Sequence, residues 1–124
     1  MGPLPSDGEL EILRVLWARG PSTVRQVHEH LPAGRSVSYN TVGKLLQIMT
    51  EKRLVTADTS ARAHVYSASE EQADVQRRLT RDLSRRAFGG SAAQLALRAL
   101  SREPCTEAEL RELRRLLDQL EAGT

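Results

Sequence analysis

The chain has 124 residues, 40% of them hydrophobic and 27% charged, with a formal net charge of +2; this is the size of one domain, or of a small domain with an appendage. No apolar run approaches the ~20 residues needed to cross a bilayer, and the opening Met1-Gly2-Pro3-Leu4-Pro5-Ser6 lacks the charged and apolar regions of a signal peptide. The single Cys105 cannot form an internal disulfide, so a cytoplasmic protein without membrane insertion is expected.

Aromatic residues make up only 3% of the chain, while Leu, Ala and Arg are plentiful, which favours helices over sheets. Ser6-Asp7-Gly8-Glu9 spells a capping box, with Ser6 as N-cap and Glu9 at the third helical position. The helix it opens is expected to bury Leu10, Leu13, Leu16 and Trp17 and to stop at Gly20-Pro21. Ser22 then reads as the cap of a short second helix carrying Val24, Val27 and Leu31, ended by Pro32 and Gly34. A third helix begins near Ser38 and runs to about Lys52. Three short helices with tight, Gly/Pro-marked connections make a helix-turn-helix core.

The third helix is amphipathic. Val42, Leu45, Leu46 and Met49 fall at i, i+3, i+4 and i+7, a buried stripe, and at about 100° per residue Asn40, Lys44 and Gln47 project from the opposite face. Two runs follow, Leu54-Val55-Thr56-Ala57 and Arg62-Ala63-His64-Val65-Tyr66-Ser67, joined by Asp58-Thr59-Ser60-Ala61. Alternation places Ala63, Val65 and Ser67 on one face of the second arm and Arg62, His64 and Tyr66 on the other. The expectation is a β-hairpin whose underside packs on the helices, leaving its tip free.

Beyond residue 68 the pattern is helical only. Ser69-Glu70-Glu71-Gln72 reads as a capping box for a long helix with Val75, Leu79, Leu83 and Ala87 on one stripe. Gly89-Gly90 breaks it, Ser91 caps a helix through Leu95, Ala96, Ala99 and Leu100, and Pro104 ends that one. Thr106-Glu107-Ala108-Glu109 is a further capping box, opening a helix in which Leu110, Leu113, Leu117 and Leu120 repeat at 3-4-3 spacing with Leu116 alongside. About 55 residues cannot bury three such stripes well by themselves. They either meet a second copy, giving a two-fold dimer, or fold back on the first half.

The expected fold is therefore mainly α with a small β-hairpin. A winged helix-turn-helix DNA-binding domain occupies residues 1–68 and a helical dimerisation region residues 69–124, the latter using Leu79, Leu83, Leu110, Leu113, Leu117 and Leu120. Residues 1–68 hold eight Lys/Arg against six Asp/Glu and residues 69–124 ten against ten, so the basic excess lies in the first half.

Side-chain chemistry assigns roles on the third helix. Asn40 can make a bidentate contact to adenine N6/N7, Lys44 can donate to guanine O6/N7, and Gln47 repeats the amide chemistry farther along. Ser38 and Thr41 suit phosphate oxygens at the helix start. Tyr39 either bonds a phosphate or wedges the helix against its neighbour. Gly43 marks either a close approach or a neutral exposed position. In the hairpin, Arg62 is expected to grip the phosphate backbone, and His64 either packs or makes a weak contact. Arg25, Arg35, Lys52 and Arg53 are either phosphate clamps or solvated charges. The run Arg77, Arg78, Arg81, Arg85 and Arg86 reads as the rim of a helical dimer, with Asp74 pairing Arg78 and Asp82 pairing Arg78 or Arg86.

No enzyme, metal or cofactor is expected. In His28-Glu29-His30 the two histidines are i and i+2, which point apart rather than converging on a metal, and no Gly-rich phosphate loop, nucleophile elbow or Cys/His cluster occurs. Two other readings remain: a winged helix used for protein contact, and a regulator responding to oxidation of Cys105.

Several segments resemble the penicillinase-repressor family of bacterial transcription factors (the BlaI/MecI/CopY group): Glu11-Ile12-Leu13-Arg14-Val15-Leu16-Trp17, Thr23-Val24-Arg25-Gln26-Val27, Tyr39-Asn40-Thr41-Val42-Gly43-Lys44-Leu45-Leu46, Glu51-Lys52-Arg53-Leu54-Val55, and in the tail Phe88-Gly89-Gly90-Ser91 and Glu109-Leu110-Arg111-Glu112-Leu113-Arg114. The resemblance implies a homodimeric winged-helix repressor on a palindromic double-stranded DNA operator, with a membrane-bound sensor protease as a further partner. The family pattern Tyr-Thr-Thr-Val-x-Thr reads Asn at position 40 and Lys at 44 here, which implies a different operator. The Asn-Phe dipeptide cleaved in β-lactam-responsive members is matched by Arg98-Ala99. Cys105 alone cannot supply the thiolate cluster of the copper-responsive branch.

Overall fold

The computed structural model describes residues 3–32 and 37–123. Gly34, read as a helix stop, and Arg35, weighed as a phosphate clamp, lie outside them. The described residues form α1 (Asp7–Arg19), β1 (Ser22–Thr23), α2 (Val24–His30), α3 (Tyr39–Glu51), β2 (Val55–Asp58), β3 (Val65–Ala68), α4 (Gln72–Ala87), α5 (Ala92–Leu100) and α6 (Glu107–Ala122). The chain divides into two units, Met1–Leu79 and Thr80–Thr124, with the division inside α4.

Both halves of the first capping box form: Ser6 Oγ accepts from the Glu9 N–H at 3.3 Å and Glu9 Oε1 from the Ser6 N–H at 2.8 Å. The helix stops at Gly20, where φ is +88°, with the Gly20 N–H on the Leu16 carbonyl at 2.7 Å. Its inward stripe is displaced from expectation. Glu9, Ile12, Leu13, Val15 and Leu16 are buried, whereas Leu10 and Trp17 are only half-buried. Trp17 stays at the edge because its indole N–H needs an acceptor and finds the Glu70 carbonyl at 3.0 Å.

Ser22 does not cap α2. That role falls to Thr23, which forms a reciprocal box with Gln26 at 3.2 and 2.9 Å. Ser22 lies in β1 instead, its hydroxyl donating to the Gly20 carbonyl at 2.9 Å. The expected hairpin is thus the larger part of a three-stranded antiparallel sheet ordered β1-β3-β2. Ser22 pairs with Tyr66 and Thr23 with Val65, while Val55 through Asp58 pair with Ala68 through Val65.

Tyr66 is buried at 6% exposure in the common core. Alternation fixes which residues share a face but not which face turns inward, and the large ring of Tyr66 outweighs Ala63 and Ser67 as core-filling surface. Ile12, Leu13, Val15, Leu16, Val27, Val42, Leu46, Met49, Leu54, Val55 and Tyr66 form one hydrophobic cluster, on which Leu45 packs partly buried. The turn at the hairpin tip, residues 59–62, is exposed.

The end of α3 is a Schellman motif without glycine. The Leu54 N–H bonds to the Met49 carbonyl at 2.9 Å and the Arg53 N–H to that of Thr50 at 3.1 Å, the crossed pair that absorbs orphan carbonyls. Arg53 takes the left-handed position, with φ of +64°.

Ser69 does not cap α4 either. Its N–H continues the ladder to the Leu54 carbonyl at 3.0 Å, and the helix starts three residues later with the Glu71 carbonyl accepting from Asp74 and Val75. Glu70 pairs with Arg78 at 2.7 Å, so Asp74 pairs with Arg77 rather than Arg78. The Asp82–Arg86 pair forms as expected, at 2.8 Å.

In the second unit, Gly89 and Gly90 adopt φ of +59° and +88° and separate α4 from α5. Ser91 caps α5 by accepting from the Gln94 N–H, and Thr106 and Glu109 form the expected box on α6. Among the described residues of this unit no apolar side chain is buried. Leu83, Leu97, Leu100, Leu110, Leu116, Leu117 and Leu120 are all exposed, Leu120 at 58%. No helix among the described residues is long and apolar enough to cross a membrane.

Candidate nucleic-acid interface

α3 is built to hold one face fixed and offer the other. Its N-cap Ser38 accepts from the Thr41 N–H at 3.1 Å and shares a 2.9 Å hydroxyl–hydroxyl bond with Thr41. Val42, Leu46 and Met49, each fully buried, anchor it on the core. Asn40, Thr41, Lys44, Gln47 and Ile48 are exposed, and no acidic residue lies in the first turn. From Asn40 to Gln47 the ridge is therefore amide, hydroxyl and ammonium for about two turns, followed by Ile48 and, at the far end, Glu51.

Tyr39, half exposed, stands at the edge of this ridge with its ring edge-on to His28, centroids 6.2 Å apart and planes at 82°. The His28 Nε2–H donates to the Val37 carbonyl at 2.8 Å, the direction being assigned by the carbonyl partner. This contact favours the wedge role for the Tyr39 ring while leaving its surface half wet. Gly43 lies against α2: a Cβ built there would meet only a Val24 methyl carbon, at 3.8 Å.

A cleft of about 460 Å³ opens beside the start of α3. Arg25 and Val24 of α2, Tyr39 of α3 and Arg62 and His64 of the loop between β2 and β3 line it. Arg62 thereby lines the same cleft as Arg25, which sequence spacing could not indicate because 36 residues intervene between them. Arg25, Arg62 and His64 are exposed.

Of the other cations weighed as clamps, Lys52 is engaged elsewhere. Its ammonium contacts both Glu9 oxygens at 2.9 and 3.0 Å, and the Glu9 side chain is only 2% exposed. Burial by itself raises the Glu9 carboxyl, but the Ser6 backbone N–H, the Lys52 ammonium and the Ser6 hydroxyl outweigh it, leaving the group below the usual carboxylate range. The capping-box letter of Glu9 was legible in the sequence; its partner 43 residues away was not. At the hairpin tip Asp58 accepts from the Ser60 hydroxyl at 2.7 Å and the Ser60 N–H at 3.0 Å, bonds that hold its carboxyl low. Ile48, with no hydrogen-bonding side chain, escaped notice in the sequence, although it stands four residues past Lys44.

Residues 5–119 match the family model described as Penicillinase repressor. The chain is 38% identical to the transcriptional regulator BlaI of Mycobacterium tuberculosis over 127 aligned positions, covering 99% of this chain and 91% of that protein. It is 22% identical to the penicillinase repressor of Bacillus licheniformis, covering 94% and 91% respectively. Among solved structures, the fold resembles that of monomeric B. licheniformis BlaI in complex with the blaP half-operator, with a TM-score of 0.51, 24% identity, and coverage of 60% of this chain and 90% of that one.

Proposed function

The chain belongs to the penicillinase repressor family, and from that membership we propose that it is a DNA-binding transcriptional repressor whose α3 enters the major groove. The observation that carries the reading is the exposed Asn40–Lys44–Gln47 ridge, anchored from behind by three fully buried side chains and flanked by a cleft holding Arg25 and Arg62. Asn40 reads adenine N6/N7 and Lys44 guanine O6/N7, with Gln47 supplying a second amide farther along. Ser38 and Thr41 meet phosphates near the start of α3, where the Tyr39 ring wedges the helix against His28, and Arg62, joined by Arg25, holds the backbone beside the groove.

The division of labour we propose assigns DNA binding to residues 1–68 and self-association to residues 69–124. Leu79, Leu83, Leu110, Leu113, Leu117 and Leu120 meet their counterparts in a second copy, which covers apolar surface that the single chain leaves wet. A two-fold dimer presents two copies of α3 to the half-sites of a palindrome. The positions matching the cleaved dipeptide of β-lactam-responsive relatives read Arg98-Ala99, so a membrane-bound sensor protease acting here needs a different specificity.

The test uses fluorescence anisotropy with a duplex selected by the full chain from a randomised library. Log affinity should fall linearly with log salt, with a slope of about −4 or steeper for four or more phosphate contacts. A flat response rejects nucleic acid as the ligand. Sedimentation of the chain at micromolar concentration should show a dimer, and the Leu117→Asp/Leu120→Asp double variant a folded monomer. A wild-type monomer would reject the dimeric arrangement.

A further inference from the structure

We propose that Ile48 is a base-reading residue that packs against the C5-methyl group of a thymine, and so sets part of this chain's site preference. The inference rests on the reading of α3 as the groove helix and adds to it a position without hydrogen-bonding chemistry.

Asn40, Lys44 and Ile48 follow one another at i, i+4 and i+8. At a rise of about 1.5 Å per residue they stand about 6 Å apart along α3 and span about 12 Å, three to four base steps at about 3.4 Å each. Ile48 thus continues the ridge by one turn. It is 40% exposed and takes no part in the hydrophobic cluster that holds Val42, Leu46 and Met49. Its backbone is fixed, since the Ile48 carbonyl accepts from the Lys52 N–H at 2.9 Å in the helix cap.

A β-branched side chain in a helix is nearly confined to one χ1 rotamer, so these methyl groups are presented in a set position. An aliphatic group can gain nothing from the donors and acceptors of adenine, guanine or cytosine edges. In the major groove its chemical match is the thymine methyl. Lys44 on one side and Glu51 on the other make this an isolated apolar spot on a polar ridge, fitted to a single methyl group rather than to a broad protein surface.

The test uses the full chain and the duplex it selects from a randomised library, with each thymine replaced in turn by deoxyuridine, which removes only the methyl group. At one thymine per half-site the wild-type affinity should drop about three- to five-fold, as expected for a methyl group returned to water. Ile48→Val should keep that sensitivity and Ile48→Ala lose it, with thermal melts confirming that both variants fold. Equal deoxyuridine penalties in wild type and Ile48→Ala, or none in either, overturn the assignment while Lys44-dependent binding stands. If the wild-type chain selects no duplex at all, the groove-helix reading falls and Ile48 with it.

Discussion

Replacing Glu9 probes the joint between the first helix and the groove helix. Its carboxylate receives the Ser6 N–H at 2.8 Å and the Lys52 ammonium at 2.9 and 3.0 Å while almost wholly buried. Losing an N-terminal cap partner costs about 1 kcal/mol. Breaking a buried ion pair costs about 3–5 kcal/mol when the survivor is trapped, but Lys52 is 35% exposed and can turn to water, so about 1–2 kcal/mol is the appropriate share. Glu9→Ala should therefore destabilise by about 2–3 kcal/mol. Glu9→Gln, which keeps an acceptor but not the charge, should cost about 1 kcal/mol. Urea melts followed by the fluorescence of Trp17, the sole tryptophan, would measure both. The sign of the pH dependence follows from the lowered carboxyl. The stabilisation is complete above the unfolded-state value and is lost as pH falls through the lower folded-state value. The gap between wild type and Glu9→Gln should narrow as pH falls below the ordinary carboxyl value of 4.5 and close once pH is below the lower folded-state value. Glu9→Ala within 0.5 kcal/mol of wild type (a difference of about the size seen for ordinary surface changes), or a gap that is unchanged at low pH, would refute this account.

Lys44→Glu places an anion on the ridge among phosphates and should abolish duplex binding in a gel shift while leaving sedimentation and melting unchanged; retained tight binding would remove α3 from the groove. Gly43→Ala should stabilise the fold by about 1 kcal/mol through helix propensity, because the added methyl meets only Val24 at 3.8 Å; destabilisation in a chemical melt would show that α2 and α3 approach more closely. Arg53→Gly relieves a left-handed residue at φ +64° and should gain about 1 kcal/mol, read as a higher melting temperature. A loss there would mean that the Arg53 side chain contributes more than its backbone costs.

Local chemistry was legible in the chain itself. Ser6-Glu9, Ser91 and Thr106-Glu109 cap the helices they were expected to open, because a cap needs only a side chain and an N–H three residues away. The 3.6-residue period of α3 was legible for the same reason, and with it the outward placement of Asn40, Lys44 and Gln47. Tertiary structure decided what depends on residues far apart. Ser22 became a strand because β3 offered it a ladder, displacing the α2 cap to Thr23. Tyr66 turned inward because only the assembled helices determine which face of a pleated strand meets the core. Lys52 was taken from the solvent-exposed cations by a buried carboxylate 43 residues away, and Arg25 and Arg62 came to share one cleft. Short-range hydrogen bonding and helical periodicity are properties of neighbouring residues, whereas burial, pairing and charge neutralisation depend on contacts that exist only once the chain has closed on itself.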